Sequence, residues 1–143
     1  MKWVTRERAK VDRIACPWLI KNFADPQAEF LFVPADRVLE VAKDENAIPF
    51  DVPNVELGHH GDECTFDAVI RKHNLTDPAL LEMAKVVRGA DTSSRNLTPE
   101  SPGLNSIAEG FRLISRDDFD NMAKQFPVYD ALYAFFRAAT RQV

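Results

Sequence analysis

One apolar segment, residues 28 to 33, constrains the fold of this chain more than any other. It reads Ala-Glu-Phe-Leu-Phe-Val and lies between Asp25-Pro26 and Pro34. Aromatic and β-branched residues bounded by prolines predict a strand. Residues 2 to 5 suit a second strand, and apolar residues at the spacing of one helix face separate the two: Cys16, Leu19, Ile20 and Phe23. A strand, a helix and a strand in this order predict a βαβ unit with a parallel pair.

The remainder of the chain has mostly helical signals. Residues 35 to 43 predict a short helix, and residues 48 to 53 are irregular or an edge segment because their prolines cannot donate to a ladder. Helix starts follow at Asp77-Pro78, at Ser101-Pro102, at the near capping box Ser115–Asp118 and at Pro127. We therefore predict a single α+β domain over residues 1–143. A small three-stranded, partly parallel sheet in the N-terminal half is covered by a helical C-terminal half.

Composition restricts the partners and the compartment. The chain has 22 acidic and 18 basic residues, a net charge of −4, with the basic residues spread along its length. We expect no nucleic-acid binding by this chain alone. Two cysteines and a charged N-terminus indicate a cytosolic protein with free thiols. No apolar run approaches the roughly 18 residues that a membrane span needs, so we expect no membrane association.

The densest group of reactive side chains lies in residues 56 to 67. These twelve residues contain two of the three histidines, one of the two cysteines and four carboxylates. Val55 and Leu57 are typical of the end of a buried strand, and Asp62 is a good N-cap for a helix with Phe66, Val69 and Ile70 on one face. The pattern predicts a strand-to-helix turn, the kind of place where α/β proteins hold ligands.

Imidazole and carboxylate donors in this turn indicate a divalent metal site for iron, manganese or zinc. The donor set that we predict is His59, Glu63 and Asp91, with His60 and Cys64 in reserve. One histidine with hard carboxylates leaves coordination positions for water or substrate. Asp67 or Glu100 would then orient the imidazole. The alternative is a surface turn that only caps a helix.

Two further sites are open on the sequence alone. Cys64 is a candidate catalytic thiol if it lies at a helix N-terminus, where the dipole lowers its pKa, and otherwise it is a buried packing residue. Arg13, together with Arg8, is a candidate oxyanion site near a helix start, unless Asp12 and Arg13 form a structural ion pair. The aromatic C-terminal helix is either core or a surface for a homo-oligomer.

Motifs dispersed over the whole chain resemble the chromate-resistance protein family, specifically the C-terminal domain of the ChrB regulators. The residues that carry the resemblance are Trp3, Asp12-Arg13, Trp18-Leu19-Ile20, Phe30 to Pro34, Pro49-Phe50-Asp51, His59-x-Gly61-x-x-Cys64-Thr65-Phe66, Asp77-Pro78, Ala90-Asp91, Pro99-Glu100 and Tyr129-Asp130-x-Leu132-Tyr133.

The resemblance implies a domain of chromate-resistance or related stress operons, which longer members join to an N-terminal regulatory module. Its motif favours His59 over His60. Two function classes follow. One is a domain that binds a metal ion, an oxyanion or another small molecule in sensing or detoxification. The other is a small metal-dependent enzyme, redox or hydrolytic, in stress detoxification.

Overall fold

The computed structural model describes residues 1–141 and contains a three-stranded, fully parallel sheet at the N-terminal end of the chain. The strands are β1 (Lys2–Arg6), β2 (Glu29–Val33) and β3 (Ile48–Pro49). β1 is central, and its Trp3 lies opposite Phe30 of β2 and Ile48 of β3. The predicted strands at residues 2 to 5 and 28 to 33 are confirmed. The third strand lies in residues 48 to 53, the segment interpreted as irregular or edge, whereas the strand end predicted at Val55 and Leu57 is wrong because these residues lie in a loop.

Six α-helices follow or interrupt these strands. They are α1 (Asp12–Leu19), α2 (Val38–Asp44), α3 (Thr65–Lys72), α4 (Pro78–Asp91), α5 (Ser101–Ile114) and α6 (Asp118–Arg141). A π-helical turn, Ile20–Ala24, extends α1. Four of the six helices lie after residue 64, so the predicted α+β class with a helical C-terminal half is confirmed.

The sheet is buried on both faces, which is usual for parallel strands. On one face Val4 packs with Val38 of α2 in a small apolar cluster. On the other face Trp3 joins the main core, which contains Phe66 of α3 and Tyr129 of α6. Phe66 is fully buried, which contributes about 3 kcal/mol relative to an exposed side chain.

The last helix differs from its prediction because it runs without a break through Pro127. Proline removes one helical N–H and usually ends or bends a helix. Here Asn121, Gln125 and Tyr129 are buried at intervals of four residues on both sides of Pro127. Packing of this continuous face against the rest of the core outweighs the loss of one hydrogen bond.

The topology brings two loop segments to one edge of the sheet. Parallel strands place their carboxyl ends together, and the chain leaves β1 at Arg6 and β3 at Pro49. Asp12 begins α1 soon after the first of these ends, and Asp51 follows the second. Within residues 1–141, none of the helices is long and apolar enough to cross a membrane.

Candidate metal centre

Four acidic or imidazole side chains from separate parts of the chain point toward one another. They are Asp12, Asp51, His59 and Asp91, and each offers a ligand atom within 4.8 Å of the others. The two that follow strands β1 and β3, Asp12 and Asp51, are buried. His59 lies in the loop before α3, and Asp91 is the last residue of α4. The group has the composition of a metal site with hard donors.

Asp12 is held rigidly because its carboxylate caps the N-terminus of α3. One oxygen, Oδ2, accepts the N–H of Thr65 at 2.7 Å, and Oδ1 accepts the N–H of Phe66 at 3.1 Å. These are two of the donors that a helix leaves unpaired in its first turn. The N–H of Asp12 in turn donates to Oδ1 of Asp91 at 3.3 Å. Asp12 therefore joins the starts of α1 and α3 to the end of α4.

Asp51 is fixed by its backbone and by hydrogen bonds to its carboxylate. Its φ of +54° is uncommon for a residue other than glycine, and its N–H donates to the carbonyl of Leu57 at 2.8 Å. Oδ1 accepts the hydroxyl of Thr65 at 2.8 Å. Oδ2 lies 3.2 Å from Arg6 Nη2 and 3.4 Å from Arg13 Nε. Strained backbone of this kind often occurs at functional sites.

His59 completes the group from the solvent side. Its Nε2 lies 3.4 Å from Asp12 Oδ2, 3.2 Å from Asp51 Oδ1 and 3.0 Å from Asp91 Oδ2. The His59 side chain is 43% exposed, whereas Asp91 is 16% exposed. His59 and Asp51 also line a cavity of about 360 Å³ with Arg6. A ligand could therefore reach the cluster past His59.

The electrostatics of the cluster are those of carboxylates competing for one cation. Hydrogen bonds to Asp12, Asp51 and Asp91 raise the pKa of His59 to about 12. Burial, and then the charge of Asp91, raise the pKa of Asp12 to about 7, although His59 opposes the shift. For Asp51, burial raises the pKa, but hydrogen bonds from His59 and Thr65 and the nearby arginines outweigh it and the net pKa is lowered. At neutral pH an imidazolium therefore balances the cluster.

Comparison with known proteins identifies the family. The model of the family described as ChrB, C-terminal domain, matches residues 3–136. This chain belongs to the ChrB C-terminal domain family. It is also 28% identical over 142 residues to Protein ChrB of Cupriavidus metallidurans, an alignment that covers 99% of this chain and 42% of that protein. The chain thus spans about two fifths of the length of this curated relative. No solved structure matches the chain.

In this ChrB C-terminal domain, two of the three predicted metal ligands meet. His59 and Asp91 are both in the cluster, whereas Glu63 forms an ion pair with Arg71 on the surface. The reserve residue His60 has its Nε2 2.7 Å from the carbonyl oxygen of Glu56. His60 and Glu63 flank a two-residue turn, and the backbone N–H of each donates to the carbonyl of the other at 3.1 Å. This turn separates the side chains of His60 and Glu63 from His59.

Cys64, the reserve ligand and candidate catalytic thiol, is fully buried at the N-cap of α3. Burial, followed by the charges of Asp12 and Asp67, raises the pKa of its thiol. Asp67 Oδ2 accepts the Cys64 N–H at 2.9 Å, and Asp67 also binds Arg88 through bonds of 3.0 and 2.8 Å. Cys64, and not Asp62, is therefore the N-cap of α3. Its thiol does not reach solvent, and Asp67 is engaged by Arg88 instead of by an imidazole.

Arg13 and Arg8, the two arginines predicted to bind an anion, lie in different surroundings. Arg13 donates through Nη1 to the carbonyls of Arg6 and Glu7, at 3.1 and 3.0 Å, and its Nε faces Asp51. The guanidinium of Arg13 is thus used inside the protein. Arg8 instead lines a separate cavity at the turn between α5 and α6.

Asp12 and Asp51 are the two cluster members that we did not select from the sequence. Each follows the carboxyl end of a strand, and each lies within a motif of the family resemblance, Asp12-Arg13 and Pro49-Phe50-Asp51. That position is the signal that could have identified them, because ligand sites favour this edge of a parallel sheet. The sequence interpretation treats residues 48 to 53 as irregular or edge, so it does not place Asp51 at a strand end.

Proposed function

We propose that this ChrB C-terminal domain binds one divalent first-row metal ion through Asp12, Asp51, His59 and Asp91, in a sensing or detoxification role. The observation that carries the proposal is the convergence of four donor side chains, within 4.8 Å, from segments up to 79 residues apart. Three carboxylates directed at one point repel each other, and a cation between them removes that repulsion. The family comparisons name no reaction, so the proposal is one of binding.

The chemistry of the donors determines which ions suit the site. Three carboxylate oxygens and one imidazole nitrogen favour iron(II), manganese(II) or zinc, and the absence of a thiolate among the four lessens the preference for zinc. Asp12 and Asp51 are oriented by hydrogen bonds to α3, as supporting contacts orient ligands in known metal sites. The cavity beside His59 leaves room for water or a small ligand on the ion.

Metal analysis tests the proposal directly. The protein, purified anaerobically and stripped with a chelator, should take up close to one equivalent of iron(II), manganese(II) or zinc. Because the ion would bind the folded state alone, free metal at 100 times the dissociation constant should raise the free energy of unfolding by about 2.7 kcal/mol. Failure of the parent protein to bind any of the three ions would reject the proposal.

Two matched pairs of variants distinguish this ligand set from the one predicted from sequence. Asp91→Asn and His59→Ala should abolish the thermal stabilisation by metal. Glu63→Gln and His60→Ala should retain it, because Glu63 pairs with Arg71 and His60 contacts the Glu56 carbonyl. All four positions are at least partly exposed, so each variant should fold. Loss of binding in Glu63→Gln, with retention in Asp91→Asn, would contradict the proposed site.

A further inference from the structure

A second cavity, of about 210 Å³, lies at the turn that joins α5 to α6. Three arginines from different segments line it. Arg8 comes from the loop after β1, Arg112 from the last turns of α5, and Arg116 from the turn itself. The four proposed metal ligands are not among its lining residues, so this cavity is distinct from the metal centre.

Two polar atoms of the lining lack a hydrogen-bond partner. Within residues 1–141, Arg112 Nε and Ser115 Oγ are buried, and neither makes a hydrogen bond. A buried polar atom left unpaired typically costs about 1 to 3 kcal/mol, and nearly all such atoms in folded proteins are paired. The nearest carboxylate to Arg112 is Glu109, 3.8 Å away, and Glu109 is already 2.9 Å from Lys10. Among the described residues, no group of the protein therefore satisfies these two atoms, and a small rotation of either side chain toward the cavity would pair it with a ligand.

The carboxylates in the lining are engaged elsewhere. Asp118 accepts the backbone N–H groups of Arg8 and Ala9 at 2.9 and 2.7 Å. Asp117 accepts the N–H of Asp120 at 2.8 Å. Among the described residues, neither carboxylate forms an ion pair with a lining arginine. Within the described residues, the lining carboxylates thus leave Arg112 Nε and Ser115 Oγ without an acceptor, and the ion pairs of Arg112 and Arg116 are long, at 3.8 and 3.7 Å.

We infer that this cavity binds a small tetrahedral oxyanion of the sulfate or hydrogen phosphate class, with Arg8, Arg112 and Ser115 as donors. Guanidinium groups bind such anions through paired, charge-assisted hydrogen bonds, and Ser115 adds a neutral donor. The volume accommodates one such anion with several waters, since a water occupies about 30 Å³. Arg116, which is 86% exposed and 3.7 Å from Asp120, contributes charge at the rim.

The test uses metal-free protein, so that an anion cannot bind through a metal ion. Calorimetry and amide chemical shifts would follow titration with sodium sulfate, sodium phosphate and sodium chromate, with sodium chloride at equal ionic strength as the reference. We expect saturable binding of a tetrahedral dianion, with shifts at Ser115 and Arg116 that chloride does not produce. A parallel titration with phenyl phosphate distinguishes a free anion from the phosphate group of a larger molecule. If phenyl phosphate binds as tightly as inorganic phosphate, the phosphate group of a larger molecule also fits the cavity.

Variants test which arginines bind the anion. Arg112→Gln and Arg8→Gly should each weaken binding at least tenfold. Glycine adopts the φ of +62° at position 8 without strain, so Arg8→Gly should remain folded. Arg37→Gln is the matched control, because Arg37 lies in a remote ion pair with Glu40, and it should bind as the parent does. Asp91→Asn should also retain anion binding.

Three results would overturn the inference. The first is that the parent protein shows no saturable binding of sulfate, phosphate or chromate. The second is that chloride at equal ionic strength displaces the bound anion. The third is that Arg37→Gln and Arg112→Gln lose the same amount of affinity. Retention of anion binding by Asp91→Asn, in a protein that takes up no metal, would support this site and reject only the metal centre.

Discussion

Two acidic groups cap the same helix, and they differ in how their charge is balanced. Asp12 accepts N–H groups of Thr65 and Phe66, and Asp67 accepts the N–H of Cys64, so both stabilise the first turn of α3. Both carboxylates are buried. Asp67, however, has both oxygens bound by the guanidinium of Arg88, whereas the charged neighbours within contact of Asp12 are other carboxylates and His59.

This difference separates a structural ion pair from a site suited to an exchangeable cation. A fixed arginine neutralises Asp67 permanently, and the planar fork leaves no room for an ion. Around Asp12, the neutralising group is a half-exposed imidazole that can lose its proton and become a metal ligand. Asp51 contacts Arg6 and Arg13 as well as His59, whereas among the described residues His59 is the cationic side chain that pairs with Asp12 and Asp91. Burial, and then the charge of Asp91, raise the pKa of Asp12 to about 7, and the single hydrogen bond to His59 does not offset them.

The largest expected effect comes from breaking the ion pair between Asp67 and Arg88. Arg88→Met leaves Asp67 buried without its partner and should lower the free energy of unfolding by about 3 kcal/mol, measured by urea denaturation. Arg71→Met, which removes an exposed ion pair with Glu63, is the control and should change stability little. Metal affinity should be unchanged in Arg88→Met. An unaltered unfolding midpoint in Arg88→Met would mean that Asp67 needs no fixed cation.

The next effect is a dependence of metal affinity on pH. With a pKa of about 12, His59 must release a proton before it can bind metal, so affinity should rise about tenfold per pH unit above pH 7. Below pH 7 the affinity should change by up to about a hundredfold per pH unit, because Asp12, with a pKa of about 7, is then protonated too and metal binding releases two protons. Calorimetry in buffers of different ionisation enthalpy measures this release. Affinity that is constant between pH 6 and 8 would contradict the assignment of His59.

The smallest effect concerns the metal-free protein. A carboxyl whose pKa is raised in the folded state loses stability as pH rises from its ordinary value toward the raised one, here from about 4 to about 7. Asp91→Asn removes the charge that contributes to this rise. The loss of stability between pH 4.5 and 6.5 should then be about 1 kcal/mol smaller than in the parent.

This pH range ends at the unfolded pKa of His59, 6.5, and lies far below its folded pKa of about 12, so His59 contributes nearly the same change to the parent and to Asp91→Asn. Asp44→Asn, at the exposed end of α2, is the control and should follow the parent curve. If both variants follow the parent, Asp91 does not set the pKa of Asp12.

The sequence by itself determined the architecture and much of the family assignment. Apolar periodicity and proline boundaries are local signals, so they located the strand at residues 28 to 33, the helix starts at Asp77 and Ser101, and the parallel βαβ unit. The motif of the family resemblance favoured His59 over His60, and the end of a predicted helix added Asp91. Local reasoning also grouped Glu63 with His59, because they are near in sequence.

Only the tertiary structure decided which residues form the cluster. Asp12 and Asp91 are 79 residues apart and are joined by a hydrogen bond from the Asp12 N–H. Asp51 reaches the cluster because β3 pairs with β1 and ends at the same edge of the sheet. The turn at His60 and Glu63 directs Glu63 to Arg71. Periodicity along the chain contains no information on such pairings, since they depend on how the packed core orients α1, α3 and α4 relative to one another.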